Sequence, residues 1–142
     1  MKKVLFTVAL MFGAMVASAQ VSVVKEAKSM KKDPSAAAKV LEAALTNPET
    51  ANDPETWKLA GDLQKAIYDE ENMKMYLPGG QADMPRMYGA LIKMFDYYLK
   101  CDEVEQAGVA NGTVKKAKHR KKNAEVLLSV RGNLANGGVE AF

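Results

Sequence analysis

One cysteine, one histidine and one tryptophan stand in 142 residues, and these scarcities exclude more than the abundant residues suggest. With Cys101 alone, no internal disulfide can staple the fold, so stability has to come from packing. At helical spacing from Tyr98 its thiol reads as a small buried hydrophobe rather than a reactive group. A single His119, set among cations, gives no histidine pair for a metal and no neutral base beside a nucleophile. Neither zinc-ligand spacing nor a glycine-lysine phosphate loop is present, so the sequence supplies no catalytic or metal residues and calls for no cofactor. The acidic run Asp69, Glu70, Glu71 reads as a solvent-facing helix end. Long apolar runs are also missing: the one stretch of this kind, Val4 to Val16, is shorter than the roughly 18 residues a membrane-crossing helix needs.

That short run has a different meaning. Lys2 and Lys3 precede it and Ala17-Ser18-Ala19 follows it, the charged, apolar and small-residue order of a secretory leader. Residues 1–19 are therefore expected to be a signal peptide cleaved before Gln20, which directs the chain to the periplasm or cell envelope, or outside the cell. No membrane span is expected in what remains. Losing Lys2 and Lys3 leaves 18 basic against 17 acidic residues, so the formal net charge falls from +3 to +1. About 120 mature residues suit one domain or a few repeats.

Turn signals then divide helical patterns rather than strands, and the fold class is all-α. Val23, Ala27 and Met30 begin the series. Asp33-Pro34 and Asp53-Pro54 each place a capping side chain before a proline at the first helical position. Ala37, Val40, Leu41, Ala44 and Leu45 form one apolar face, which Asn47-Pro48 ends; Trp57, Ala60, Leu63 or Gln64, and Ile67 form the next. Leu77-Pro78-Gly79-Gly80 has to be loop, and an insertion or long loop is expected near 72–85. Pro85 leads into a helix through Met87, Leu91, Met94, Phe95, Tyr98 and Leu99. Gly108, Asn111 and Gly112 predict a loop near 104–114, and Asn111-Gly112-Thr113 reads as a turn rather than a glycosylation site. A closing pair of helices is expected, one through Ala124, Leu127 and Leu128, the second from Asn133 through Leu134 to Ala141.

Trp57-x-x-Ala60-Gly61-x-x-Gln64 resembles the first-helix signature of a tetratricopeptide repeat, W-x2-L-G-x2-Y, with the tryptophan and glycine kept. Leu91, Phe95 and Tyr98 resemble the second-helix pattern; Ala36, Val40, Ala43 and Pro48 resemble the second helix of a preceding copy. Leu134-x-x-Gly137-Gly138-x-x-Ala141 is similar to the first helix of a following one. The stretch from Trp57 to Leu91 departs from the pattern, at about twice the separation that a repeat of roughly 34 residues allows. With its leader, the chain resembles the N-terminal part of tetratricopeptide-repeat proteins exported by Bacteroides-like bacteria. The resemblance implies antiparallel helical hairpins stacked as a solenoid over residues 20–142, incomplete at the C-terminus, where Leu134, Ala141 and Phe142 await a further helix. Small residues, Ala43, Ala44, Ala60 and Gly61, are expected where helices touch.

By the same resemblance, Glu55, Lys58, Asp62 and Lys65 would line the concave groove and contact a protein or peptide partner. Ordinary charge pairing along an exposed helix, worth about 0.2–0.5 kcal/mol per pair, is the competing reading. The run Lys115, Lys116, Lys118, His119, Arg120, Lys121, Lys122 has the charge for an acidic protein partner or for phosphates. It lacks interleaved aromatics, and export disfavours nucleic acid, so it reads first as a solvated helix entry. Met73, Met75, Met84, Met87 and Met94 have the adaptability of a binding surface, although helical spacing assigns Met87 and Met94 to the core. The expected function is an exported, non-enzymatic helical-repeat scaffold for protein or peptide partners. The alternative is a structural cap on a longer solenoid, with no ligand of its own. Oligomeric state is not encoded in any of these features.

Overall fold

A computed structural model describes residues 21–30 and 32–140, with side chains through residue 137. The expected signal peptide at 1–19 and the terminal pair Ala141 and Phe142 lie outside the described residues, which are almost wholly helical and include no strand. Six helices follow one another: α1, described over residues 21–29, α2 (Pro34–Thr46), α3 (Pro48–Ala51), α4 (Pro54–Lys74), α5 (Met84–Asn111) and α6 (Arg120–Glu140). None is long and apolar enough to cross a membrane among the described residues.

Four helix entries use one device. Asp33, Asn47, Asp53 and Asp83 each accept a hydrogen bond from a backbone N–H of the first turn, and each is followed within two residues by proline. The side chain satisfies a donor the helix leaves open, while proline at the start loses no bond that the helix would have made. The Asn47-Pro48 signal stops α2 as expected, but it also starts the single turn α3. Two side chains hold that turn: the Thr50 hydroxyl donates to Ala44 O at 2.6 Å and Trp57 Nε1 donates to Ala51 O at 2.7 Å.

The central pair is α4 and α5, which run in opposite directions: the end of α4 meets the start of α5 through Glu71 and Arg86, and the start of α4 meets the later part of α5 through Pro54 and Cys101. Two apolar clusters flank this pair. In one, Ala27, Ala37, Leu41 and Ala44 pack on Ala60 and Leu63. In the other, Ile67, Tyr68, Met87, Leu91, Met94 and Tyr98 are covered by Val126, Leu127, Val130 and Leu134 of α6. The sequence thus places α1 and α2 on one side of the central pair and α6 on the other.

Three boundaries differ from the sequence reading. The loop expected near 104–114 starts later, because α5 continues to Asn111 and ends at Gly112 with φ of 80°. Gly108 does not break the helix; Val114 folds back onto it, and a Cβ there would come within 2.4 Å of the valine side chain. The closing pair of helices is one continuous helix, α6. Asn133 donates to the Tyr68 hydroxyl from its middle, and Gly137 fits against the Tyr88 ring, so the polar and glycine residues that suggested a break are contact points. The break near 72–85 is shorter than expected: only 75–83 falls between α4 and α5. Two side chains also change sides, since Ala43 and Leu99 are exposed rather than packed.

Candidate functional site

The expected contact stripe on α4 is occupied by its own neighbours. Lys58 pairs with Asp62 and Lys65 with Asp69, each at i, i+4. Asp62 also accepts a 2.6 Å hydrogen bond from the Tyr98 hydroxyl, and the Lys58 ammonium lies 5.2 Å from the Tyr98 ring centre. Burial and the Asp62 bond both raise the Tyr98 pKa above its ordinary value. Glu55 reaches across to the loop before α6, 3.0 Å from His119 Nε2 and 3.5 Å from Lys118 Nζ. Burial opposes ionisation of Glu55, but the His119 hydrogen bond and the electrostatic influence of His119 and Lys118 outweigh it and lower its pKa.

The basic run divides as well. Lys115, Lys116, Lys121 and Lys122 are exposed, Lys118 pairs with Glu55, and Arg120 lies 3.6 Å from Asp102. The His119 side chain is largely buried. Below them is a carboxylate the sequence reading passed over: Glu105, 1% exposed, accepts from the backbone N–H of Lys118 at 2.7 Å and of His119 at 3.1 Å. A negative charge there complements the positive end of α6. Asn111 and Thr113 close the preceding turn, the asparagine oxygen accepting from both the N–H and the hydroxyl of Thr113.

A second buried carboxylate reverses an expectation. Of the acidic run, Glu71 is 1% exposed rather than solvent-facing. It accepts from Lys74 Nζ at 2.8 Å, from the Asp83 N–H at 2.9 Å and from Arg86 Nη1. The Lys74 and Asp83 hydrogen bonds pull its pKa down to about 2 against the effect of burial. Arg86 extends the network to the hydroxyl of Ser35 at the head of α2, 2.7 Å away. No local pattern predicts this, because the partners lie 12, 15 and 51 residues apart in sequence. The tight turn beyond α4 requires glycine: Gly79 has φ of 72°, and a Cβ on Gly80 would fall 2.1 Å from Lys74 O. Held by this network, the turn presents Met73, Met75, Tyr76 and Leu77, all more than half exposed. Met84 is half-buried, and Met87 and Met94 are core.

The concave feature nearest to the Glu71 network is an open cleft of about 290 Å³ between α2, α4 and α5. One wall is the Ser35, Ala38, Lys39 and Glu42 face of α2; the other is the Arg86, Gly89 and Lys93 face of α5. Gln64, Ile67 and Ala90 are buried residues that line it. Gln64 is 7% exposed, and its amide has no hydrogen-bond partner among the described residues. Lys39 and Lys93 are exposed and likewise have no ionic partner among the described residues. The cleft can therefore offer two free positive charges, one unsatisfied amide and an apolar bed. Periodicity alone could not have revealed it, because Gln64 falls on the same stripe as the core residues Ala60 and Ile67. Compared with family models, with curated proteins and with solved structures, the chain finds no match in any of the three. Among the described residues, no group of three His, Cys, Asp or Glu side chains could hold a metal ion.

Proposed function

We propose that this chain is an exported, non-enzymatic scaffold of the tetratricopeptide-repeat type, whose stacked helical hairpins bind segments of protein or peptide. The observation that carries this reading is the cleft between α2, α4 and α5: it is concave, built by three helices, and lined in part by Lys39, Gln64 and Lys93, which have no partner among the described residues. The Gln64 amide is not sealed from solvent, so an occupant exchanges its water for a direct hydrogen bond, worth about 0.5–1.5 kcal/mol net. The α4 stripe of Glu55, Lys58, Asp62 and Lys65 is a weaker contact surface, since a partner would first have to displace intramolecular ion pairs.

Site-directed crosslinking tests the reading. A Cβ at Gly89 meets nothing within 4 Å, and neither does one at Gly132 on α6. Single Gly89→Cys and Gly132→Cys variants of the exported protein, each carrying a thiol-linked photocrosslinker, are illuminated in the periplasmic fraction. Discrete adducts from position 89 and none from position 132 support the scaffold. Identical adduct patterns from both positions overturn it. Mass spectrometry of the same material reads the export part of the proposal: a terminus at Gln20 supports it, and an intact Met1 sinks it.

The structural-cap alternative is favoured by a different observation. Ile92 and Leu99, seven residues apart and hence on one face of α5, and Leu128 of α6 are all more than half exposed. Exposed apolar positions of this kind on α5 and α6 suit packing against a further helix. If the chain is a cap, substituting serine at all three positions abolishes assembly with the longer stack, while crosslinking from position 89 yields nothing.

A further inference from the structure

We infer that the cleft between α2, α4 and α5 takes an acidic peptide segment, with Gln64 hydrogen-bonding its main chain and Lys39 and Lys93 holding its carboxylates. This deepens the scaffold reading and rests on it.

Gln64 decides what kind of molecule fits. It comes from the middle of α4, where its neighbours on the same face, Ala60 and Ile67, are packed into the core. A primary amide offers two donors and one acceptor oxygen. Here none of them is used within the described chain: the residue as a whole is 93% buried, while its amide remains open to solvent at the cleft. A peptide unit presents the complementary set, one C=O and one N–H a few ångströms apart, so a single extended segment can satisfy the amide in both senses. A lone carboxylate or phosphate has acceptors only and would leave the Gln64 oxygen unpaired. The apolar bed of Ile67 and Ala90, with no side chain at Gly89, accommodates a small side chain of the segment.

Charge decides which peptide. Of the cations at the cleft, Arg86 is already neutralised by Glu71 and held by Ser35. Lys39 and Lys93 stand on opposite walls with no carboxylate bound to either among the described residues. Glu42 is the one carboxylate lining the cleft, one helical turn from Lys39 on the same wall, so with Lys93 the three side chains leave the cleft positive on balance. An occupant with glutamate or aspartate at two successive residues places one carboxylate toward each wall and its main chain over Gln64, because successive side chains of an extended segment point to opposite faces.

The test uses the full chain and a dye-labelled octapeptide in which pairs of glutamates alternate with pairs of alanines, followed by fluorescence anisotropy. A lysine-alanine octapeptide of the same length is the control. The glutamate peptide is expected to bind at least tenfold more tightly than the control, with affinity falling as salt rises. The double variant Lys39→Glu with Lys93→Glu changes only exposed side chains; it should lose at least tenfold in affinity and most of the salt dependence. Gln64→Leu preserves the size of the side chain and removes the amide. It should weaken binding about tenfold while leaving the salt dependence intact, a split that a purely electrostatic surface does not give. Equal binding of both peptides, unchanged affinity in the lysine double variant, or displacement of the probe by free glutamate as effectively as by unlabelled peptide overturns the inference. Adducts from position 89 that persist in the lysine double variant would leave the scaffold standing and remove the acidic peptide alone.

Discussion

The ring of Tyr98 fills the space that a side chain on residue 61 would need: a Cβ built on Gly61 falls 2.3 Å from two ring carbons. Gly61 lies inside α4, where glycine costs about 1 kcal/mol of helix propensity relative to alanine, and the ring contact is what that cost permits. Tyr98 cannot move aside, since it is 1% exposed and its hydroxyl is bonded to Asp62.

Gly61→Ala should therefore destabilise the protein by about 1–3 kcal/mol despite the better propensity of alanine. In a Tyr98→Leu background the same change should cost much less. Urea melts of the four proteins in this cycle measure the coupling, and simple additivity would show that the ring is not the obstacle.

The Glu71 network predicts an acid limb. Its folded pKa is depressed from 4.5 to about 2, so its contribution to stability is complete above 4.5 and is lost as pH falls from there toward 2. Glu71→Gln removes that dependence and leaves Arg86 without its buried counter-charge, at a cost on the order of 2–3 kcal/mol at neutral pH. Denaturation midpoints measured from pH 7 down to pH 2 should converge for the two proteins at the acid end. Parallel curves throughout would show that the carboxylate is not the group titrating.

Asn123 offers the opposite case. It is 3% exposed, neither amide atom reaches a well-formed hydrogen bond, and the Cys101 thiol is the polar group beside it. Replacing a buried unsatisfied amide with an apolar group of similar shape relieves its desolvation cost. Asn123→Leu should stabilise the fold by about 1 kcal/mol, read as a higher melting temperature, and a lower one would imply a partner for the amide.

Cys101 should be inert in the folded protein. It is fully buried, its thiol lies 3.3 Å from Pro54 O, and burial pushes its pKa up to about 11. Iodoacetamide at pH 8 should leave the native chain unmodified for hours and label it within minutes in denaturant. Rapid native labelling would place the thiol at the surface.

The helix starts were legible because their cause is local: aspartate or asparagine with a following proline acts within one turn. The apolar stripe through Met87, Leu91, Met94 and Tyr98 was legible for the same reason, and so was the placement of Gly61 at a contact. Glu71 and Glu105 were not, because adjacent acids carry no mark of burial and their partners are brought together by the fold. The misreading at Gly108 and Asn133 had one physical source. A glycine or asparagine that breaks a helix and one that receives a neighbour look identical until Val114 and Tyr68 are in place. Gln64 was read only as a stripe and signature position, because it keeps the period of the core and nothing local shows that its amide opens into the cleft.

The polar attachment of α6 has a consequence for how the molecule comes apart. Its ties to the rest include the Glu105 carboxylate under its first turn, the Glu55–His119 and Asp102–Arg120 pairs, the Asn133–Tyr68 bond and the Gly137–Tyr88 contact, with four half-buried aliphatic side chains between them. Salt and water compete with such ties more effectively than with the sealed seam between α4 and α5. Helix α6 is therefore expected to open as a detachable leaf, its amides exchanging with solvent while α2, α4 and α5 stay closed around their cleft, which hydrogen exchange resolved by residue would read.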